Sequence, residues 1–155
     1  MKKYLFIAIT LIVSALAFTA CEKDKVDPRD AFIGEYDFNA TGSVELYAGS
    51  THLLDVPLDE AGTLAISKAE EEGQVLIIGY NDTIHAAVSG NNLFLESTVY
   101  TQEYNGATIM MTLVYGKATL EENQLSWETD VQATATYSVL SGSGTGHITV
   151  VATKK

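Results

Sequence analysis

From Phe32 onward, apolar and polar residues alternate with a period of two, and no window of eleven or more residues keeps the 3.6-residue period of an amphipathic helix. Along residues 35–46, Tyr36, Phe38, Ala40, Gly42, Val44 and Leu46 share one face of a strand. Glu35, Asp37, Asn39, Thr41, Ser43 and Glu45 share the other. The same pattern predicts strands over 53–58, 63–67, 74–80, 83–88, 93–104, 107–120, 125–140 and 147–153. Turn chemistry separates them at residues 59–62, 70–73, 81–82, 90–91, 105–106, 121–124 and 141–144. Every connection is short, so successive strands pair antiparallel and the domain is all-β.

Two hairpins can be set in register. A two-residue turn at Asn105-Gly106 places Tyr104 opposite Ala107, Val99 opposite Thr112, Leu95 opposite Gly116 and Leu93 opposite Ala118. A four-residue loop at 121–124 places Leu120 opposite Leu125, Ala118 opposite Trp127, Val114 opposite Val131 and Met110 opposite Ala135. Both registers select one inner face of the shared strand. Gly116 and Ala118 leave room there for Trp127, and on the other face Lys117 meets Glu128. The same parity sends Ile109, Met111, Leu113 and Tyr115 outward beside Tyr100, an outer patch too apolar to be left open without a reason. Strand 125–140 alternates most sharply, with Trp127, Val131, Ala133, Ala135, Tyr137 and Val139 inward.

Long alternating strands in a meander suit an up-and-down barrel, which removes exposed edges; a β-sandwich is the alternative. Phe32-Ile33-Gly34-Glu35-Tyr36 resembles the opening of the lipocalins and calycins, in which a Gly is followed two places later by an aromatic that plugs one end of the barrel. That resemblance implies a lipocalin-like fold with one closed end.

The first twenty residues read differently. Met1-Lys2-Lys3 is a positive head, Leu5 to Phe18 is almost wholly apolar, and Thr19-Ala20 precedes Cys21, the only cysteine. This run resembles a bacterial lipoprotein signal, which implies cleavage before Cys21 and its lipidation. Residues 22–30 are charged and broken by Pro28, as a solvated tether would be. The anchor, the tether, the lead from Asp27-Pro28-Arg29-Asp30 into Phe32-x-Gly34-x-Tyr36 and the closing Ala152-Thr153-Lys154-Lys155 together resemble small Bacteroidetes-type surface lipoproteins. The expected organisation is a signal peptide over 1–20, a lipidated Cys21 and tether over 21–31, and one β domain over 32–155. The expected location is the bacterial outer membrane, with the domain on the cell surface.

Charge narrows the partners. The net charge is −11, and it becomes −13 once residues 1–20, which carry two Lys and no acid, are removed. Such a surface repels phosphate backbones and anionic headgroups, so no nucleic-acid partner is expected and the membrane is met through the lipid on Cys21.

Candidate chemistry is sparse. No Gly-x-Ser-x-Gly occurs, and acylation of Cys21 leaves no thiol nucleophile. His52, His85 and His147 lack ligand spacing, and Glu96, Glu103, Glu128 and Asp130 supply carboxylates of which Glu96, Glu128 and Asp130 fall on the outer face. The acids at 55, 59–60 and 70–72 lack an EF-hand spacing. Ser141-Gly142-Ser143-Gly144-Thr145-Gly146 opens no helix and reads as a flexible hairpin connection rather than a phosphate loop. No cofactor or metal is expected, and the reading leans against an enzyme. Two surfaces remain. Tyr36, Phe38, Trp127 and Tyr137 line either a small interior pocket or a filled core. The outer patch of Tyr100, Ile109, Met111, Leu113 and Tyr115 either docks a partner or is covered. The leading expectation is non-catalytic binding of a small apolar ligand or glycan; the alternative is an interaction lipoprotein that docks a protein through the outer patch.

Overall fold

The computed structural model describes residues 26–79, 83–114, 116–137 and 140–155. The signal, Cys21 and the first part of the tether lie outside them, as does Tyr115. Eleven strands form one antiparallel sheet: β1 (Gly34–Ala48), β2 (Thr51–Pro57), β3 (Glu60–Lys68), β4 (Gln74–Ile78), β5 (Thr83–Ser89), β6 (Asn92–Leu95), β7 (Thr98–Tyr104), β8 (Ala107–Leu113), β9 (Gly116–Glu121), β10 (Gln124–Tyr137) and β11 (Leu140–Lys154).

Eight of them, β1, β3, β4, β5, β6, β9, β10 and β11, close a barrel, because β11 pairs with both β10 and β1. Closure decides against the sandwich. β1, β10 and β11 have 15, 14 and 15 residues and continue past the barrel as an upper storey. At ~3.3 Å per residue such strands reach roughly 50 Å, far more than one barrel layer needs. There β2 pairs with the far half of β1 and the β7–β8 hairpin is added to the far half of β10.

Two cores follow from this division. The lower one packs Tyr36, Ile66, Val75, Ile77, Leu93, Leu95, Leu120 and Leu125 inside the barrel. The upper one packs Val44, Leu46, Val56, Ile109, Met111 and Val131 within the curled extension.

The barrel is stoppered below. Pro28–Ala31 is a 3-10 turn capped by Asp27, and Phe32 behind it is fully buried. Tyr36 Oη donates to the Phe32 carbonyl at 2.7 Å, and burial raises the Tyr36 phenol above its usual pKa. Arg29 grips both Asp27 oxygens and donates to the carbonyls of Ala69 and Glu71, while Lys68 Nζ lies 3.0 Å from Asp27 and 2.6 Å from Asp30. The hydrogen bonds from Arg29, and then that from Lys68, hold the Asp27 carboxyl well below the usual carboxylate range. The charged stretch is therefore latched to the domain from Asp27 on and is not a solvated tether there.

Most of the expected register is present. Leu93 faces Ala118, Leu95 faces Gly116, Ala118 faces Trp127, Lys117 faces Glu128 and Tyr104 faces Ala107. Asn105 and Gly106, at φ of 51° and 79°, make the two-residue turn.

Three further expectations are corrected. The segments 93–104 and 107–120 are each broken, into β6 and β7 and into β8 and β9. Between Glu128↔Lys117 and Val131↔Leu113 the register moves by one residue, so Ala135 faces Ile109 instead of Met110. Thr129, buried at this shift, donates its hydroxyl to the Val114 carbonyl. One slipped residue exchanges the two faces of a strand. Ile109 and Met111 are accordingly buried and Met110 is 49% exposed, so these two residues of the expected outer patch belong to an inner wall.

The third correction concerns 141–146, which is strand and not a flexible loop. Gly142, Gly144 and Gly146 lie opposite Ala135, Ala133 and Val131 of β10. A Cβ added at Gly144 or Gly146 would fall on the carbonyl oxygen of Glu45 or Ser43 in β1. Glycine is what lets β1 and β11 approach this closely.

Candidate functional site

Above the Tyr36 layer the barrel is not filled. A cleft of about 550 Å³ opens where the lower barrel meets the upper storey. Its floor and lower wall come from Phe38 and Ala40 of β1, Leu64 of β3, Ile77 of β4, Ile84 of β5, Trp127 of β10 and Val150 of β11. Met111 and Leu113 of β8 and Ile148 of β11 supply the upper wall. The mouth is edged by residues 100–102 of β7 on one side and residues 57–60 on the other.

Small residues at one level make this room. Gly62 faces Phe38 across the β1–β3 ladder, and a Cβ there would come within 3.1 Å of Phe38 Cε1, so the ring lies over bare backbone. Ala118 is opposite Trp127, and the indole is half-buried with Val150 on its other flank. Strand parity does the rest. The one-residue shift beyond Lys117 turns Met111 and Leu113 from the solvent side onto the cleft.

The sequence-predicted residues thus divide. Phe38 and Trp127 line the cleft. Tyr36 is interior but sits beneath the floor, fully buried, with its hydroxyl committed to Phe32. Tyr137 ends β10, and its side chain lies outside the described residues, as does Tyr115. Of the patch residues, Tyr100, Met111 and Leu113 join the cleft, while Ile109 is buried in the upper core. Two surfaces expected to be separate therefore contribute to one site.

Sequence reasoning missed Leu58, Asp59, Glu60, Ile77, Ile84 and Ile148. Ile77 and Ile84 follow from the alternation of their strands, since they face one another across the β4–β5 ladder. Residues 57–60 carry only a turn signal, which says nothing about what the turn overhangs.

Electrostatically the site is one-sided. Asp59 and Glu60 stand at the mouth, and among the described residues the lining contains no Lys, Arg or His. Asp59 Oδ1 accepts from the Gly42 backbone N–H at 3.3 Å, which ties the β2–β3 connection to β1.

The other titratable groups lie elsewhere. His52 meets Asp55 at 2.8 Å, and His147 lies 3.2 Å from Asp130 and 3.7 Å from Glu128, all on exposed surface. His85 is exposed on β5. Glu103 accepts from the Thr108 hydroxyl at 2.5 Å. Among the described residues no group of three or more His, Cys, Asp or Glu converges. What the cleft offers is shape, apolar and aromatic surface, and negative charge at its edge.

No family model matches the chain, and no curated protein matches it. Among solved structures, the ywiB protein from Bacillus subtilis is similar to it, at 8% identity and a TM-score of 0.35, over 78% of this chain and 93% of that one. That likeness is too distant to inform function.

Proposed function

We propose that this protein is a lipid-anchored binding protein of the bacterial outer membrane, whose barrel holds a small ligand or a short stretch of glycan without transforming it. The observation that carries the binding half is the cleft: an interior packed solid would have left Phe38 and Trp127 no open space to face. The anchoring half rests on the apolar leader and on Cys21 at its end. Against the rival reading, a protein partner docked on an outer aromatic patch, stands the burial of Ile109 and Met111.

The test uses the single tryptophan. Ligands that enter the cleft shift or quench Trp127 emission saturably, and Gly62→Val, which drives the Phe38 ring toward the cleft, weakens that response while the fold persists. A panel of apolar ligands and oligosaccharides that leaves Trp127 emission unchanged would sink the binding reading. Labelling with radioactive palmitate, retained by the parent and lost in Cys21→Ser, tests the anchor.

A further inference from the structure

We infer that the cleft selects its ligand by charge as well as by shape, and that its occupant carries an apolar alkyl or aryl body and a cationic group held at the mouth, as an organic ammonium ion does. This rests on the reading of the cleft as a binding site and names the ligand class.

Three observations converge on it. First, the deep lining is apolar, with the faces of Phe38 and Trp127 available to a hydrocarbon body. Second, the two carboxylates among the described lining residues, Asp59 and Glu60, are adjacent and exposed at the edge. Among the described residues neither has a cationic side chain within ion-pair distance, whereas Asp27 and Asp30 share Lys68 and Asp37 has Lys155. The Gly42 N–H engages one Asp59 oxygen and leaves the other to a ligand. Third, Tyr100 edges the same mouth as the two carboxylates, and a ring face and opposite charge each stabilise an ammonium group. A fatty acid is disfavoured by the same geometry, because its carboxylate would stop beside two acids with no Lys or Arg to receive it. The net charge of −11 adds a longer-range field that concentrates cations and repels anions.

Three probes of one shape and different charge decide the matter: 6-phenylhexylammonium, 6-phenylhexanol and 6-phenylhexanoate. Each is titrated into the full chain in a non-ionic detergent, with Trp127 emission as the readout and protein-free micelles as the blank. The ammonium probe is expected to bind about tenfold more tightly than the carboxylate, with the alcohol between them, as two partly screened rim charges allow. Salt narrows the spread, because exposed charges are screened. Asp59→Asn with Glu60→Gln keeps the Gly42 acceptor, leaves the thermal midpoint unchanged, and brings the ammonium probe to the affinity of the alcohol. Equal binding of all three probes, or a preference that survives the double variant, overturns the charge inference and leaves the cleft reading intact. Failure of all three to move Trp127 emission overturns both.

Discussion

Gly144→Ala puts the close approach of β1 and β11 to a quantitative test. Gly144 faces Leu46 across the ladder, and an added Cβ falls on the Glu45 carbonyl oxygen, 2.8 Å from the Glu45 carbonyl carbon and 3.1 Å from Leu46 Cα. All three obstacles are backbone atoms, so no change of rotamer relieves them and the strands must part. Gly144 has no positive φ, so the new residue brings no conformational penalty of its own; taken alone, Gly to Ala would stabilise by about 0.4–1 kcal/mol through the unfolded chain. Against this stands an overpacking cost of about 1–3 kcal/mol, at the upper end because the obstacle is rigid. The expected net loss is about 1–2 kcal/mol, or about 4–8 °C in thermal midpoint for a domain of this size. Gly79→Ala is the control: nothing lies within 4 Å of its Cβ and its φ is not positive, so the midpoint should hold or rise. Urea unfolding followed by far-ultraviolet circular dichroism and by Trp127 emission measures both. A Gly144→Ala protein within about 0.5 kcal/mol of the parent, inside the range of ordinary surface substitutions, would refute the account of the glycine run.

Ala118→Phe sets a ring against Trp127 and should cost roughly 1–3 kcal/mol with a shift in tryptophan emission; unchanged stability and emission would reject the Ala118↔Trp127 register. Ile109→Asp buries a charge among apolar residues and should cost more than about 3 kcal/mol, whereas Met110→Asp, one residue along on the exposed face, should stay within about 0.5 kcal/mol. Equal effects in the two would mean that the one-residue register shift is wrong. The folded-state pKa of Asp27 lies below its unfolded value of about 3.9, so the latch stabilises above that pH and is lost as pH falls through the folded value. Asp27→Asn should lower the thermal midpoint at pH 7 and flatten its decline below about pH 4; a decline as steep as the parent's would show that other carboxyls govern it.

Much of the fold was legible because alternation reports which residues share a face. The pairs Leu93↔Ala118 and Ala118↔Trp127 follow from turn length and side-chain size alone. What alternation does not report is a place where the count slips. Between Lys117 and Leu113 a single residue reverses the parity, and nothing in the local sequence distinguishes a continuous strand from two joined by an irregularity. Beyond that point the inward and outward assignments invert on β8 and on its hairpin partner β7, while those of β10 hold, which is why alternation alone puts Met111 and Leu113 on the surface. The glycine run misled for a different reason. Gly142, Gly144 and Gly146 do keep a period of two, but a period of small residues looks like flexibility until the opposing backbone is known. Phe38 and Trp127 were found because large aromatics on an inner face must fill space or face it; Asp59 and Glu60 were missed because a turn's position over a cavity is a tertiary fact.

Both ends of the described chain leave from the stoppered end. The Lys155 N–H donates to the Glu35 carbonyl at 3.0 Å, and Lys155 Nζ meets Asp37 at 3.0 Å. A pull applied between Val26 and the far end of β1 would therefore run along the length of that strand. The β1–β11 and β1–β3 ladders lie parallel to that line of force, so they would have to slide as blocks instead of opening one rung at a time. Such a pull would load the barrel in shear, and the first connection to meet it at the Val26 end is the Asp27–Lys68 latch.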